Sequence, residues 1–203
     1  MGLFEKIKSQ AQDTSVQPTT SSGSGSSSGS NRVVPVTFTS MPETLAEFTA
    51  LPQTAMQTPF DTAALLIAAL CVYPLSKDES VAMISHLKGP TPMTPHDKSF
   101  LKDRMSQNNK APFLGASYFD GATPKNEYSP TEPYTVTVSE NPYSYSNEGY
   151  AKLFIKSGGA DSARPITMRQ AKDGKWYLWE YSSLLVDILS PESSNPWATR
   201  EFI

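Results

Sequence analysis

The stretch Ile166-Thr167-Met168-Arg169-Gln170-Ala171-Lys172-Asp173-Gly174-Lys175-Trp176-Tyr177-Leu178-Trp179-Glu180-Tyr181 decides the fold class. It holds two runs rich in β-branched and aromatic residues on either side of Asp173-Gly174, the dipeptide that type I′ hairpin turns favour because both central residues need positive φ. A two-residue loop there fixes the register: Lys172 faces Lys175, Ala171 faces Trp176, Met168 faces Trp179 and Ile166 faces Tyr181. Side chains alternate between the faces of a strand, so Ile166, Met168, Tyr177, Trp179 and Tyr181 share the core side. Thr167, Arg169, Trp176, Leu178 and Glu180 share the other.

Upstream, Tyr134 to Val138 alternates cleanly and Tyr150 to Lys156 is a stronger apolar run, so both read as strands. Before Lys110 the punctuation is helical. Ser40-Met41-Pro42-Glu43 and Ser76-Lys77-Asp78-Glu79 have capping-box form, and Thr58-Pro59-Phe60-Asp61 and Thr94-Pro95-His96-Asp97 put a Thr cap before a first-turn Pro and Asp. Stops follow at Tyr73-Pro74, Lys88-Gly89-Pro90 and Asn108-Asn109. The second helix, through Ala63 to Val72, is apolar almost all round and reads as the buried centre. The expectation is an α+β protein with about four N-terminal helices on one face of a C-terminal antiparallel sheet.

The first residues differ in kind. In residues 1–12, Leu3, Phe4, Ile7 and Ala11 recur at helical spacing, which predicts a short amphipathic helix that needs a surface to fold against. Residues 13–32 are mostly Ser, Gly, Thr and Gln and bury nothing, so they read as a disordered linker with a reach of roughly 25 Å. Residues 33–203 are left as a single α+β domain. Leu3, Phe4 and Ile7 are accordingly the candidate docking residues, toward a protein partner or a membrane surface. Lys6 stands where a myristoylation motif needs Ser or Thr.

Composition narrows the function classes. The chain carries 17 basic and 20 acidic residues, a net charge of -3, and no domain-wide basic patch, which argues against nucleic-acid binding. The lone cysteine, Cys71, sits in the apolar run and forms no internal disulfide. The N-terminus lacks the apolar core of a signal peptide, and the run ending at Tyr73 is too short to span a bilayer. The expected location is the cytoplasm, at the membrane periphery if the first helix binds lipid.

Catalytic signals are thin. Ser99-Phe100-Leu101-Lys102 and Ser85-His86-Leu87-Lys88 fit S-x-x-K, where a lysine one turn on takes the serine proton, but the companion motifs are missing. His86 and His96 have neither the spacing nor the partner ligands of a zinc site, so no metal and no cofactor is expected. Asp120, between Phe119 and Gly121, reads as a turn carboxylate. Ser157-Gly158-Gly159 lacks the Lys-Ser/Thr of a phosphate loop and precedes a strand. The segment from Glu140 to Tyr150 is rich in Tyr, Ser, Asn and Gly, the composition of recognition loops. Tyr143, Tyr145 and Asn147, with Trp176 exposed by the register above, are the candidate ligand-binding residues.

From Thr58 to Trp197 the chain resembles an uncharacterised domain family of Gram-positive bacteria. The likeness rests on Phe60-Asp61-Thr62-Ala63-Ala64, Gly115-Ala116-Ser117-Tyr118-Phe119, Ser157-Gly158-Gly159-Ala160-Asp161-Ser162-Ala163-Arg164-Pro165-Ile166 and Trp176-Tyr177-Leu178-Trp179-Glu180-Tyr181. That resemblance implies a bacterial protein and transfers no catalytic residues. The order of helices before a Trp-rich final strand is also similar to the cone-shaped NTF2-like fold. Two functions follow as expectations. The first is a non-catalytic binding or scaffolding domain tethered through its N-terminal helix. The alternative is a small-molecule binder or enzyme with an NTF2-like pocket between sheet and helices.

Overall fold

The computed structural model describes residues 31–194. The expected N-terminal helix with Leu3, Phe4 and Ile7, and nearly all of the expected linker, lie outside the described residues. Within them the fold is α+β. A five-stranded antiparallel sheet runs in the order β1 (Val33–Phe38), β2 (Tyr134–Ser139), β3 (Tyr150–Ile155), β4 (Arg164–Gln170), β5 (Trp176–Glu180). Between β1 and β2 the chain forms α1 (Leu45–Thr49), α2 (Pro59–Val72), α3 (Lys77–Lys88), α4 (Pro95–Ser106) and α5 (Ala111–Leu114), with short 3₁₀ turns between them.

Three of the four expected helix starts are found in place. Thr58, Ser76 and Thr94 each accept a hydrogen bond from the N–H three residues on, and Thr94 with Asp97 closes a reciprocal capping box. The first start is displaced. Thr44, rather than Ser40, caps α1 by accepting from Glu47 N. Thr44-Leu45-Ala46-Glu47 repeats the Ser/Thr-x-x-Glu spacing one turn after Ser40, past Pro42, and the later copy takes the helix. Glu79 departs from the capping box expected of it. Its carboxylate crosses to α1 and accepts from Leu45 N at 2.5 Å, so Glu79 caps the neighbouring helix while Ser76 caps its own.

α2 is the buried centre. Every residue from Pro59 to Val72 except Asp61 is buried, and the helix touches all five strands together with α3 and α5. Opposite it lie Val36, Phe38, Val136, Val138, Leu153, Ile155, Ile166, Met168 and Leu178, the inward positions of the sheet. Cys71 falls in this interior, where burial pushes its thiol far above the ordinary range. Since only the thiolate attacks disulfide reagents, the native chain should resist thiol labelling and take up one label per chain on unfolding; rapid labelling of the folded protein would contradict this placement.

The hairpin departs from its expected register, and the difference has a physical cause. Gly174, at φ 81, donates to Ala171 O at 3.0 Å, and Ala171 N donates to Lys175 O at 2.9 Å. The loop is therefore three residues long with glycine in the left-handed position, the second common hairpin form. Next to the turn every pair shifts by one, Gln170 opposite Trp176 and Met168 opposite Leu178. Leu178 thus faces the core, and Trp179, expected inside, is 44% exposed. An irregularity between Thr167 and Met168 then absorbs the extra residue, and Thr167 meets Glu180 as the shorter loop had implied. Ile166, Met168 and Tyr181 accordingly keep their expected buried positions.

Candidate recognition surface

Because the helices cover one face of the sheet, interaction by the sheet itself must use an edge or the other face. Both edges are occupied in part. On β1, the Glu140 N–H to Arg32 O bond puts Val33, Pro35 and Thr37 outward along the edge. Pro35 has no N–H to offer, and Thr37 O already accepts from the Gln53 amide at 3.0 Å. On β5, Trp176 N donates to Met56 O at 2.9 Å and Trp176 O accepts from Thr62 Oγ1 at 2.6 Å. Farther along, the Tyr177 ring rests on Gly89, where any Cβ would collide with it. Strand addition is blocked at these positions.

Among the described residues no helix covers the outer face, and its two halves differ. Over β1 and β2 it is polar: Thr37 and Thr135 share a hydroxyl hydrogen bond of 3.1 Å, and Thr137 donates to the Asp120 carboxylate at 2.8 Å. Asp120 N also donates to Thr135 O, so this residue pairs with the half of β2 that β3 does not reach. Over β3, β4 and β5 the outward positions carry Tyr150, Lys152, Phe154, Thr167, Arg169 and Trp179. The Tyr150 and Trp179 rings meet edge to face, centroids 5.7 Å apart at 74°. The Arg169 guanidinium lies over both, 5.5 Å from the Tyr150 centroid and 5.1 Å from that of Trp179.

The residues singled out in the 140–150 loop precede β3 and make their own contacts. Tyr145 packs edge to face on Trp176 at 6.3 Å, and its hydroxyl donates to the Glu140 carboxylate at 3.0 Å. Burial, reinforced by the Glu140 carboxylate, pushes the Tyr145 phenol up to about 12. Tyr143 projects from the loop, 79% exposed, while its N–H is held by the Asn141 side chain. Asn147 is exposed and its carbonyl accepts from Tyr150 N, closing the turn into β3. Trp176 is half-buried, and the indole exposed on the outer face is Trp179. The structure thus joins Tyr145 to Trp176 and brings neither Tyr143 nor Asn147 to them by a side-chain contact. Tyr150 and Trp179 were missing from the sequence-based set because the two-residue loop turned Trp179 inward. A three-residue loop ending at Gly174 would have exposed it.

The remaining candidates are structural in placement. Ser157 donates to Ser117 Oγ at 2.9 Å and accepts from Gly159 N, while Gly158 presses on Ala122, leaving no cradle for a phosphate. Two clefts, of about 400 and 680 Å³, lie at this far end of the sheet, lined by residues such as Asp161, Arg164 and Asp187 or Lys125, Leu189 and Glu192. Ser99 is exposed on α4, and Ser85 accepts from Met93 N. His86 is exposed with its ring edge-on to Phe48 at 6.3 Å; burial first, then Lys175, holds its pKa below the usual value. Among the described residues no group of His, Cys, Asp and Glu could hold a metal ion, and no helix is long and apolar enough to cross a membrane.

A family model described as a domain of unknown function (DUF6935) matches residues 40–192, from just after β1 to the end of the described fold. No curated protein and no solved structure matches the chain.

Proposed function

The chain belongs to the DUF6935 family of domains of unknown function, and from that premise we propose that it is a non-catalytic recognition domain. It engages a protein partner through the outer face of β3, β4 and β5, with residues 1–12 as a second docking element. The observation that carries this reading is the Tyr150–Arg169–Trp179 cluster, an exposed aromatic and cationic group on the sheet face that the helices leave bare. Large rigid rings and arginine are the residues that dominate binding energy in protein interfaces.

The alternative of a pocket between sheet and helices finds less support. That space is filled by α2 and the inward side chains of the strands, with Leu65, Leu66, Ile67 and Leu70 fully buried. Ligand sites need a concave cavity with converging polar groups, and Asp120, His86 and Arg169 line neither cleft.

The test uses the full chain as bait in a lysate of its own cells, beside Trp179→Ala and a triple variant with Leu3, Phe4 and Ile7 changed to Ser. Proteins retained by the parent chain should be lost with Trp179→Ala, and retained more weakly by the triple variant, at unchanged melting temperature. Equal retention by Trp179→Ala removes the outer face from the proposal. Equal retention by the triple variant removes the N-terminal element.

A further inference from the structure

Resting on the outer-face reading, we propose that the segment recognised there is an acidic peptide of the partner protein, its carboxylate received by Arg169. The guanidinium of Arg169 is held over the Tyr150 and Trp179 rings. Stacking on two rings restricts its rotamers before any ligand arrives, which lowers the entropy cost of each bond it then makes. Its donors lie in the guanidinium plane, and among the described residues no carboxylate or carbonyl takes a hydrogen bond from them. Such a fork, already oriented, suits a carboxylate bidentately.

The surroundings agree in sign. Lys152 is exposed on β3, two residues from Tyr150, which stands opposite Arg169. No Asp or Glu occupies an outward position of β3 or β4, where the side chains are Tyr150, Lys152, Phe154, Pro165, Thr167 and Arg169. Glu180, the acid opposite Thr167, accepts from Ser182 N at 2.7 Å through one carboxylate oxygen and keeps its charge, so Arg169 and Lys152 leave a local excess of one positive charge. A local pair of cations on a chain of net charge -3 is a patch of opposite sign to the whole. Diagonal neighbours on adjacent strands are roughly 7 Å apart, which matches the spacing of side chains two residues apart on an extended chain, also about 7 Å. An extended Glu-x-Glu segment laid across the face therefore sets one carboxylate at Arg169 and the next at Lys152.

Other ligands fit worse. A sugar stacks on open, flat ring faces, whereas these two rings stand at 74° with the guanidinium across them. A nucleic acid needs a longer run of cations than this pair.

The experiment titrates the full chain with three labelled peptides that alternate Thr with Glu, Gln or Lys, followed by fluorescence anisotropy. The Glu peptide should bind saturably, the Lys peptide should not bind, and raising the ionic strength from about 0.1 M to about 1 M should abolish binding as screening shortens from about 10 Å to about 3 Å. Arg169→Gln should weaken binding about tenfold or more, the loss of a charge-assisted fork. Arg169→Lys should weaken it comparably because the stack and fork are lost, while Lys98→Gln on α4 should leave it unchanged. Absence of saturable binding by the Glu peptide, equal binding of the Gln peptide, or wild-type affinity in Arg169→Gln overturns the acidic assignment. If the acidic peptide fails while Trp179→Ala still abolishes partner capture, the face stands and only its ligand class falls. If Trp179→Ala leaves capture unchanged, both fall.

Discussion

Leu70→Ala lowers the unfolding free energy by about 3–5 kcal/mol, the upper part of the range for buried leucine truncation. The size of the effect follows from how little α2 can move. Leu70 is fully buried, and its helix is in contact with every strand of the sheet and with two other helices. At its C-terminal end the backbone of Gly115 comes so close that a Cβ there would sit 2.7 Å from both N and Sγ of Cys71. A helix gripped on all sides cannot slide to fill the space left by three carbons, so the cavity persists and its cost adds to the lost transfer free energy. Against a total stability of about 5–15 kcal/mol this is a large fraction, and the midpoint of thermal unfolding should fall by about 10 °C for a protein of this size. Leu75, 45% exposed just beyond the helix, provides the control: its replacement by alanine should change stability by less than about 0.5 kcal/mol. A loss at Leu70 no larger than that at Leu75 would show that α2 is not the packed centre.

Alkaline pH should unfold the protein cooperatively between about pH 11 and 12, before the phenols of Tyr118 and Tyr181 would ionise in the native state. Tyr118, Tyr128 and Tyr181 are all buried, with 1%, 2% and 8% of their surface exposed. Burial raises the phenol of each, that of Tyr128 to about 12 and the other two further. Tyr118 donates to Leu184 O at 2.8 Å and Tyr128 to Leu189 O at 2.6 Å, bonds that require the proton. Below pH 10 both folded and unfolded chains hold these protons and stability is flat. Above it the unfolded chain releases them at the ordinary tyrosine pKa of about 10 and the folded chain does not, so the folded state binds more protons and its stability falls with pH. Each tyrosine contributes about 1.4 kcal/mol per pH unit and the three together about 4, so two units remove about 8 kcal/mol of a stability of about 5–15 kcal/mol. Circular dichroism should be lost in one step, and the phenolate absorbance of the buried tyrosines should appear with it, after that of exposed ones such as Tyr143. Tyr128→Phe should make the fall shallower by about a third. A circular dichroism signal that stays native beyond pH 12 would refute the linkage.

The parts of this fold that were legible in the sequence are those set by local chemistry. Caps at Thr58, Ser76 and Thr94 are written in side chains that satisfy backbone donors three residues away, and no distant contact changes that arithmetic. The central position of α2 is equally local, since an apolar helix has nowhere else to go. What failed to read were long-range or degenerate features. β1 is a short strand whose partner lies beyond all five helices, and nothing near Val33 announces β2. Thr44-x-x-Glu47 and Ser40-x-x-Glu43 spell the same signal, so one of the two had to be chosen without help. Asp173-Gly174 is compatible with two loop lengths, and one residue of difference exchanges the faces of the strand next to the turn. Trp176 and Trp179 changed roles on that single point, which is why Arg169 was visible as an outward residue but its aromatic bed was not.

The distance between β1 and β2 along the chain also sets a timetable. Their first pairs join Val33 to Ser139 and Phe38 to Tyr134, so about a hundred residues must be synthesised before β1 has a partner. At usual translation rates of about 5–20 residues per second, that is a wait of roughly 5–20 s. All five helices emerge in this interval, and α2 can condense with α3 before any sheet exists. For that period the nascent chain carries Val34, Val36 and Phe38 unpaired on its leading segment. Pro35 in their midst removes one N–H from the row that a wrong strand would need to bind. The proline that blunts the finished edge therefore also guards the unfinished one, while the strand waits on the ribosome for the residues that will hold it.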